Sequence, residues 1–160
     1  LEIVVLAVGR MKAGPERELC ERYLDRARKG GGKLGLRGFA VEEVPEARET
    51  RAKDRVAAEE VSLAARLKTP DRVVTLDAAG DLVDSAAFSK SLAADAAANV
   101  HRLVFVIGGP DGVGTALSRR ADRRISFGRL TWPHQLVRIL LAEQLYRATA
   151  ILSGHPYHRA

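Results

Sequence analysis

Five consecutive apolar residues, Leu103-Val104-Phe105-Val106-Ile107, run straight into a glycine-rich turn, Gly108-Gly109-Pro110-Asp111-Gly112-Val113-Gly114. An apolar run with no polar alternation suits a strand buried on both faces, the habit of parallel sheets. Open α/β sheets bind ligands outside the carboxyl ends of such strands, where turns present backbone amides. Residues 2–9 form a second run of this kind and end in Gly9. Shorter stretches at Phe39–Val44 (closed by Pro45), Arg72–Asp77 and Arg124–Phe127 also read as strands.

Helical segments separate these runs. Pro15 opens one that reaches about Arg28, with Leu19, Tyr23 and Ala27 on one face. Arg51 to Leu67 is highly charged, its apolar residues Val56, Val61, Ala64 and Leu67 are sparse, and it reads as a surface helix. An alanine-rich helix follows an N-cap at Asp84 or Ser85 and runs to about Asn99. A short helix spans Thr115 to Arg123, and the last runs from near Pro133 to about Leu152, stopped by Gly154. Lys29–Gly38, with five glycines, reads as loop, and Ala78–Asp81 as a turn. Strands alternating with helices predict a single α/β domain with a mainly parallel sheet of about five strands flanked by helices.

The last helix is apolar over more than one stripe: Leu136, Val137, Ile139, Leu140, Leu141, Leu145, Ile151 and Leu152 leave Arg138, Glu143 and Arg147 as its charges. Such width predicts cover on two sides, with a second subunit the natural candidate for one of them. Glu143 and Arg147 read as an ordinary helix pair. At 160 residues the chain is large enough for a real core. No apolar run approaches the ~20 residues of a membrane helix, and no signal-peptide pattern opens the chain, although a residue or two before Leu1 is expected to be missing. The single cysteine, Cys20, cannot form an intrachain disulfide, which fits a reducing cytoplasm.

Charge is unevenly placed. From Arg119 onward there are eight arginines against Asp122 and Glu143, so the whole excess of +6 lies there and residues 1–118 balance at 18 basic and 18 acidic. Confined to the segment that follows the glycine turn and carries the tail, this charge points to a polyanion such as nucleic acid.

The turn is not a Walker A loop, because Thr115-Ala116 stands where Lys-Ser/Thr is required, and it is not G-x-G-x-x-G. Glycines permit close backbone approach, which suits a ligand held by main-chain groups, such as an adenosine. Trp132, the only tryptophan, could pack the core or touch a ligand; its place between Thr131 and Pro133 favours the ligand. The chain ends on Gly154-His155-Pro156-Tyr157-His158-Arg159. His155 and His158 without nearby Cys, Asp or Glu make a poor zinc site, so no metal is expected. A stiffened tail with an aromatic ring, two imidazoles and a guanidinium suits RNA better, by stacking and phosphate contact.

The motifs IGGPDG, LTWPHQLVRILLAEQLYRA and GHPYHR together resemble the RlmH family of ribosomal RNA methyltransferases, of the SPOUT (trefoil-knot) class, and the likeness runs the whole chain. The resemblance implies one SPOUT domain over residues 1–160 with a C-terminal trefoil knot, acting as a homodimer. It implies an S-adenosylmethionine pocket at Leu76, Gly108, Phe127, Gly128, Arg129, Leu130, Thr131 and Trp132. The implied reaction is methylation of N3 of a pseudouridine in bacterial 23S ribosomal RNA within the assembled ribosome, in the cytoplasm. His155, Tyr157 and His158 are candidates for the base and Arg159 for charge stabilisation, with His134 nearby in sequence. The tail is expected to reach the partner subunit's pocket. Asp111 stands where many members carry glutamate. A non-catalytic RNA-binding module of the ribosome is the alternative; a nicotinamide oxidoreductase is disfavoured by the wrong fingerprint.

Overall fold

The computed structural model describes residues 1–157. Five strands, β1 (Glu2–Val8), β2 (Arg37–Val44), β3 (Arg72–Leu82), β4 (Arg102–Ile107) and β5 (Arg123–Ser126), form one parallel sheet in the order β2-β1-β4-β3-β5. Five α-helices cover it: α1 (Pro15–Gly31), α2 (Ala52–Ala64), α3 (Ser85–Ala97), α4 (Thr115–Arg120) and α5 (His134–Ser153).

The unbroken apolar runs are explained by cover on both faces. Ile3, Val5 and Ala7 of β1, with Leu103, Phe105 and Ile107 of β4, join Leu24 of α1, Leu92 of α3 and Leu141 and Leu145 of α5 in one core. The intervening residues Val4, Leu6, Val8, Val104 and Val106 face the other way and meet Leu63 of α2 and Leu117 of α4. Period-two alternation therefore divides apolar residues between two cores instead of dividing core from solvent. Cys20 is buried in the first core, and burial pushes its thiol up to about 11.

Caps fall where turn chemistry places them. The Asp84 carboxylate accepts from the Ala87 N–H at the start of α3, and Gly154 ends α5 in the left-handed conformation at φ 68°. Three stretches differ from expectation. The 29–38 segment is not all loop: α1 continues through Gly31, a 3-10 turn covers Gly32–Leu34, and β2 begins at Arg37. Gly30 and Gly31 are there for packing, since a Cβ would lie 2.8 Å from Thr149 Oγ1 of α5 at the first and 2.9 Å from the Phe39 ring at the second. Residues 78–81 are not a simple turn either, because β3 carries on to Leu82 and Asp81 and Leu82 ladder with Ile125 and Ser126. Gly80 makes that possible: a Cβ there would lie 2.7 Å from the Ile125 backbone. Finally, α4 stops at Arg120, so that Arg123 can begin β5 and pair with the buried Asp95 carboxylate.

Two charged features have roles that their spacing did not reveal. Helix α2 is not merely a surface helix, since Glu59 and Leu63 are buried while Val61 is 70% exposed. Arg138 lies in the interior at 2% exposure. Its guanidinium pairs with Glu43 of β2 at 2.5 Å and donates to the Gly9 carbonyl at 2.9 Å and the Val8 carbonyl at 3.3 Å. Glu43 also accepts from the Met11 N–H at 2.9 Å. One side chain thus fastens the first turns of α5 to the carboxyl ends of β1 and β2. Arg138→Met should lower unfolding free energy by about 3 kcal/mol, because it strands a carboxylate and two carbonyls. Urea denaturation at neutral pH checks this.

Candidate functional site

The carboxyl ends of β3, β4 and β5 and the first turn of α5 enclose a cleft with about 700 Å³ of empty space, its mouth included. Seven residues singled out from the sequence line it: Leu76, Gly108, Phe127, Gly128, Leu130, Thr131 and Trp132. Arg129, the eighth, is not among the lining residues. Ile107, Gly109, Pro110 and Gly112 bring the glycine turn to the same wall, and Asp77, His134 and Val137 complete it.

The turn needs its glycines for geometry. Gly109 and Gly112 form an antiparallel bridge, with the Gly112 N–H donating to the Gly109 carbonyl at 3.0 Å. A Cβ on Gly108 would overlap the Gly112 carbonyl, and Gly112 itself sits at φ +89° with open space in front of it. Gly128, at φ +115°, likewise faces open space. Ser126 shapes that second loop, its hydroxyl donating to the Gly128 carbonyl at 2.9 Å while the Gly128 N–H donates back at 3.2 Å.

Helix α2 holds the glycine turn from behind, which its sequence did not announce. Arg55 donates to Asp111 at 2.8 Å. The buried Glu59 packs so closely that a Cβ on Gly109 would lie 2.7 Å from its Oε2. Glu60 accepts from the Leu117 N–H at 2.6 Å, at the start of α4. The Arg55 guanidinium holds the Asp111 carboxyl below its ordinary value. A depressed carboxyl pKa contributes stability above the unfolded value and loses it as acid is added, so this clasp persists at neutral pH.

Among the described residues of the tail, none lines the cleft of its own chain. The His155 N–H donates to the Ala150 carbonyl at 2.9 Å, and its Nδ1 accepts from the Tyr157 N–H at 3.2 Å. The Tyr157 hydroxyl donates to Glu143 at 3.1 Å, its ring centroid lies 4.4 Å from that of Tyr146, and Arg147 sits over it at 5.0 Å. Glu143 and Arg147 are therefore a dock for the tail as well as a helix pair, bonded at 2.5 Å. That dock lies about 13 Å along the helix axis from His134, at 1.5 Å per residue. His158 and Arg159 lie outside the described residues.

The basic segment is also less uniform than its count. Arg123, Arg138 and Arg147 are paired with Asp95, Glu43 and Glu143, and Arg120 reaches the Lys68 carbonyl, ahead of β3 at the amino end of the sheet. Among the described residues no helix is long and apolar enough to cross a membrane, and no three His, Cys, Asp or Glu side chains cluster as metal ligands.

Desolvation, then the bond to Glu143, raises the Tyr157 hydroxyl from the usual 10.0 to about 12. The raised value favours the protonated form in the fold, so docking persists below pH 10 and weakens as pH rises toward about 12. In a tyrosine absorbance titration, Tyr157→Phe should remove a transition near 12.

Residues 1–158 match the model of a family described as predicted SPOUT methyltransferase. A protein of Rhodopseudomonas palustris named ribosomal RNA large subunit methyltransferase H is 49% identical over 160 residues, covering all of both chains. One of the same name from Afipia carboxidovorans is 51% identical, again over the full length of both. Among solved structures, one described only as a hypothetical protein shares the fold with a TM-score of 0.50 at 15% identity, covering 94% of this chain and 81% of that one.

Proposed function

The chain belongs to the SPOUT methyltransferase family and is a methyltransferase, and from that premise we propose that it methylates a base of bacterial large-subunit ribosomal RNA, with S-adenosylmethionine as donor. The observation that carries this reading is the character of the cleft: main-chain groups and apolar walls around one carboxylate, Asp77, with no lysine or arginine among the described lining residues. A phosphate-bearing cofactor calls for cationic partners. A donor with a sulfonium and an ammonium group does not, and the open space before Gly112 and Gly128 leaves room for its adenosine.

In this reading Leu76, Gly108 and the loop from Phe127 to Trp132, with Arg129 at its rim, hold the donor. The donor supplies an electrophilic methyl group. The protein aligns the attacking nitrogen with that group and keeps water from the reaction. The target, N3 of a pseudouridine within the assembled ribosome, rests on the family resemblance, as do a cytoplasmic location and one SPOUT domain over residues 1–160. A knotted C-terminal third is also part of the proposal. It too rests on the family resemblance.

The enzyme acts as a homodimer. In support, Leu82, Val83, Leu130, Trp132, Leu136 and Leu140 are all more than a third exposed, and a groove between α3, α5 and the 126–132 loop joins several of them. A partner covering this face accounts for the width of the apolar surface on α5. It would also bring the tail (His155, Tyr157, His158 and Arg159) to the other subunit's cleft, since within one chain Tyr157 rests on Glu143. Tyr157 then serves as a hydrogen-bond donor and stacking ring, because a phenol keeps its proton at neutral pH.

Calorimetry should show saturable binding of S-adenosylmethionine and none of NAD, and the emission of Trp132 should change with the first. Labelled methyl should pass from the donor to ribosomes lacking the modification. Binding of NAD alone, or donor binding without transfer to RNA, overturns the proposal.

For the shared site, Trp132→Ala and Tyr157→Ala are each expected to lose most activity. Mixed and reassembled they should regain about a quarter, because half of the dimers are hybrids with one intact site of two. No recovery would mean that tail and cleft act within one chain.

A further inference from the structure

His134 opens α5 and is among the residues that line the cleft. Its Nε2 is buried and lies 3.3 Å from Glu46 Oε1, outside good hydrogen-bond geometry. Glu46 comes from the segment after β2, so the two meet only through the fold. Gly9, just past the end of β1, makes the space between them. It sits at φ +85°, and a Cβ there would lie 2.7 Å from Glu46 Oε1 and 3.1 Å from His134 Nε2. The other charged groups nearby are Arg138 one turn along α5, bonded to the Gly9 carbonyl and neutralised by Glu43, and Asp77 on the cleft wall. The Glu46 carboxylate is therefore the charge that lies against the imidazole.

We propose that His134 is the proton acceptor of the methyl transfer and that Glu46 is its positioning residue, with Gly9 holding the gap open for the pair. This rests on the methyltransferase reading above. With Nε2 turned to Glu46, Nδ1 is the ring nitrogen left to take a proton. The N–H of the target base gives its proton to Nδ1, and the nitrogen's electron pair forms the new bond to the methyl carbon. The carbon–sulfur bond breaks, and its pair stays on sulfur as a neutral thioether. The Glu46 carboxylate offsets the imidazolium, which then passes its proton to water. A phenol such as that of Tyr157 keeps its proton at neutral pH, so an imidazole fixed on the cleft wall suits the part better.

Wild-type protein is first assayed with labelled S-adenosylmethionine and ribosomes lacking the modification; no transfer there removes the underlying reading, and this inference with it. Once transfer is seen, His134→Ala and His134→Gln should bind the donor within about three-fold of wild type by calorimetry. Both should lose at least about 100-fold in kcat, with partial recovery at alkaline pH as the base nitrogen ionises unaided. Glu46→Gln should lower kcat at least about ten-fold while KM and donor affinity stay within about three-fold, the split expected when the base loses its positioning contact. Melting curves report whether each variant folds, and the near-isosteric glutamine carries the test if alanine does not. His134 variants that transfer methyl within about three-fold of wild type, or that lose donor affinity in step with rate, overturn the assignment. A Glu46→Gln variant that keeps wild-type kcat overturns the role of Glu46.

Discussion

The cleft depends on one buried cation. Arg138 is the largest fully enclosed side chain of the protein among the described residues, and it joins α5 to the last carbonyls of β1 and to Glu43 of β2. A guanidinium taken from water is costly unless each of its faces is matched, and here a carboxylate and two carbonyls match most of it. Because the bond geometry is fixed, so is the position of the helix start. His134 and Val137 are thereby held over the carboxyl edge of the sheet, and the wall they form turns an open edge into an enclosed site.

The opposite wall is held in a different way. The glycine turn has few side chains to anchor it, so α2 holds it from outside: Arg55 on Asp111, Glu59 against Gly109 and Glu60 at the start of α4. The turn can then offer main-chain groups to a ligand without closing onto protein atoms. Charge is kept behind the pocket rather than in it, and Asp77 is the one carboxylate on the lining. This separation is what distinguishes the cleft from a phosphate-binding loop, where cations and helix amides point at the ligand.

Much of the sheet was legible in the sequence, because a strand buried on both faces has no choice but to be apolar throughout. Helix starts and stops at Pro15, Asp84 and Gly154 were legible for a similar reason, since local backbone chemistry decides them. The glycines at 30, 31 and 80 were misread. A glycine that permits close packing looks the same in sequence as one that permits a turn, and only the neighbouring element tells them apart. Seven of the eight cleft residues read from the family pattern line one wall. Within one chain the described end of the tail docks elsewhere, with Tyr157 resting on Glu143 and Tyr146.

By itself the sequence determined the α/β layering, the doubly covered strands and the loops that border the site, because burial and backbone conformation are written in residue type and spacing. Tertiary structure alone decided which charges are structural. Arg138, Glu59 and Glu46 look in sequence like any surface residues, and their meaning comes mostly from partners about 40 to 130 positions away. Such pairings are chosen by three-dimensional proximity, which no local period records. The glycines that make room for them, Gly9 and Gly109, acquire their purpose only once a distant carboxylate arrives beside them.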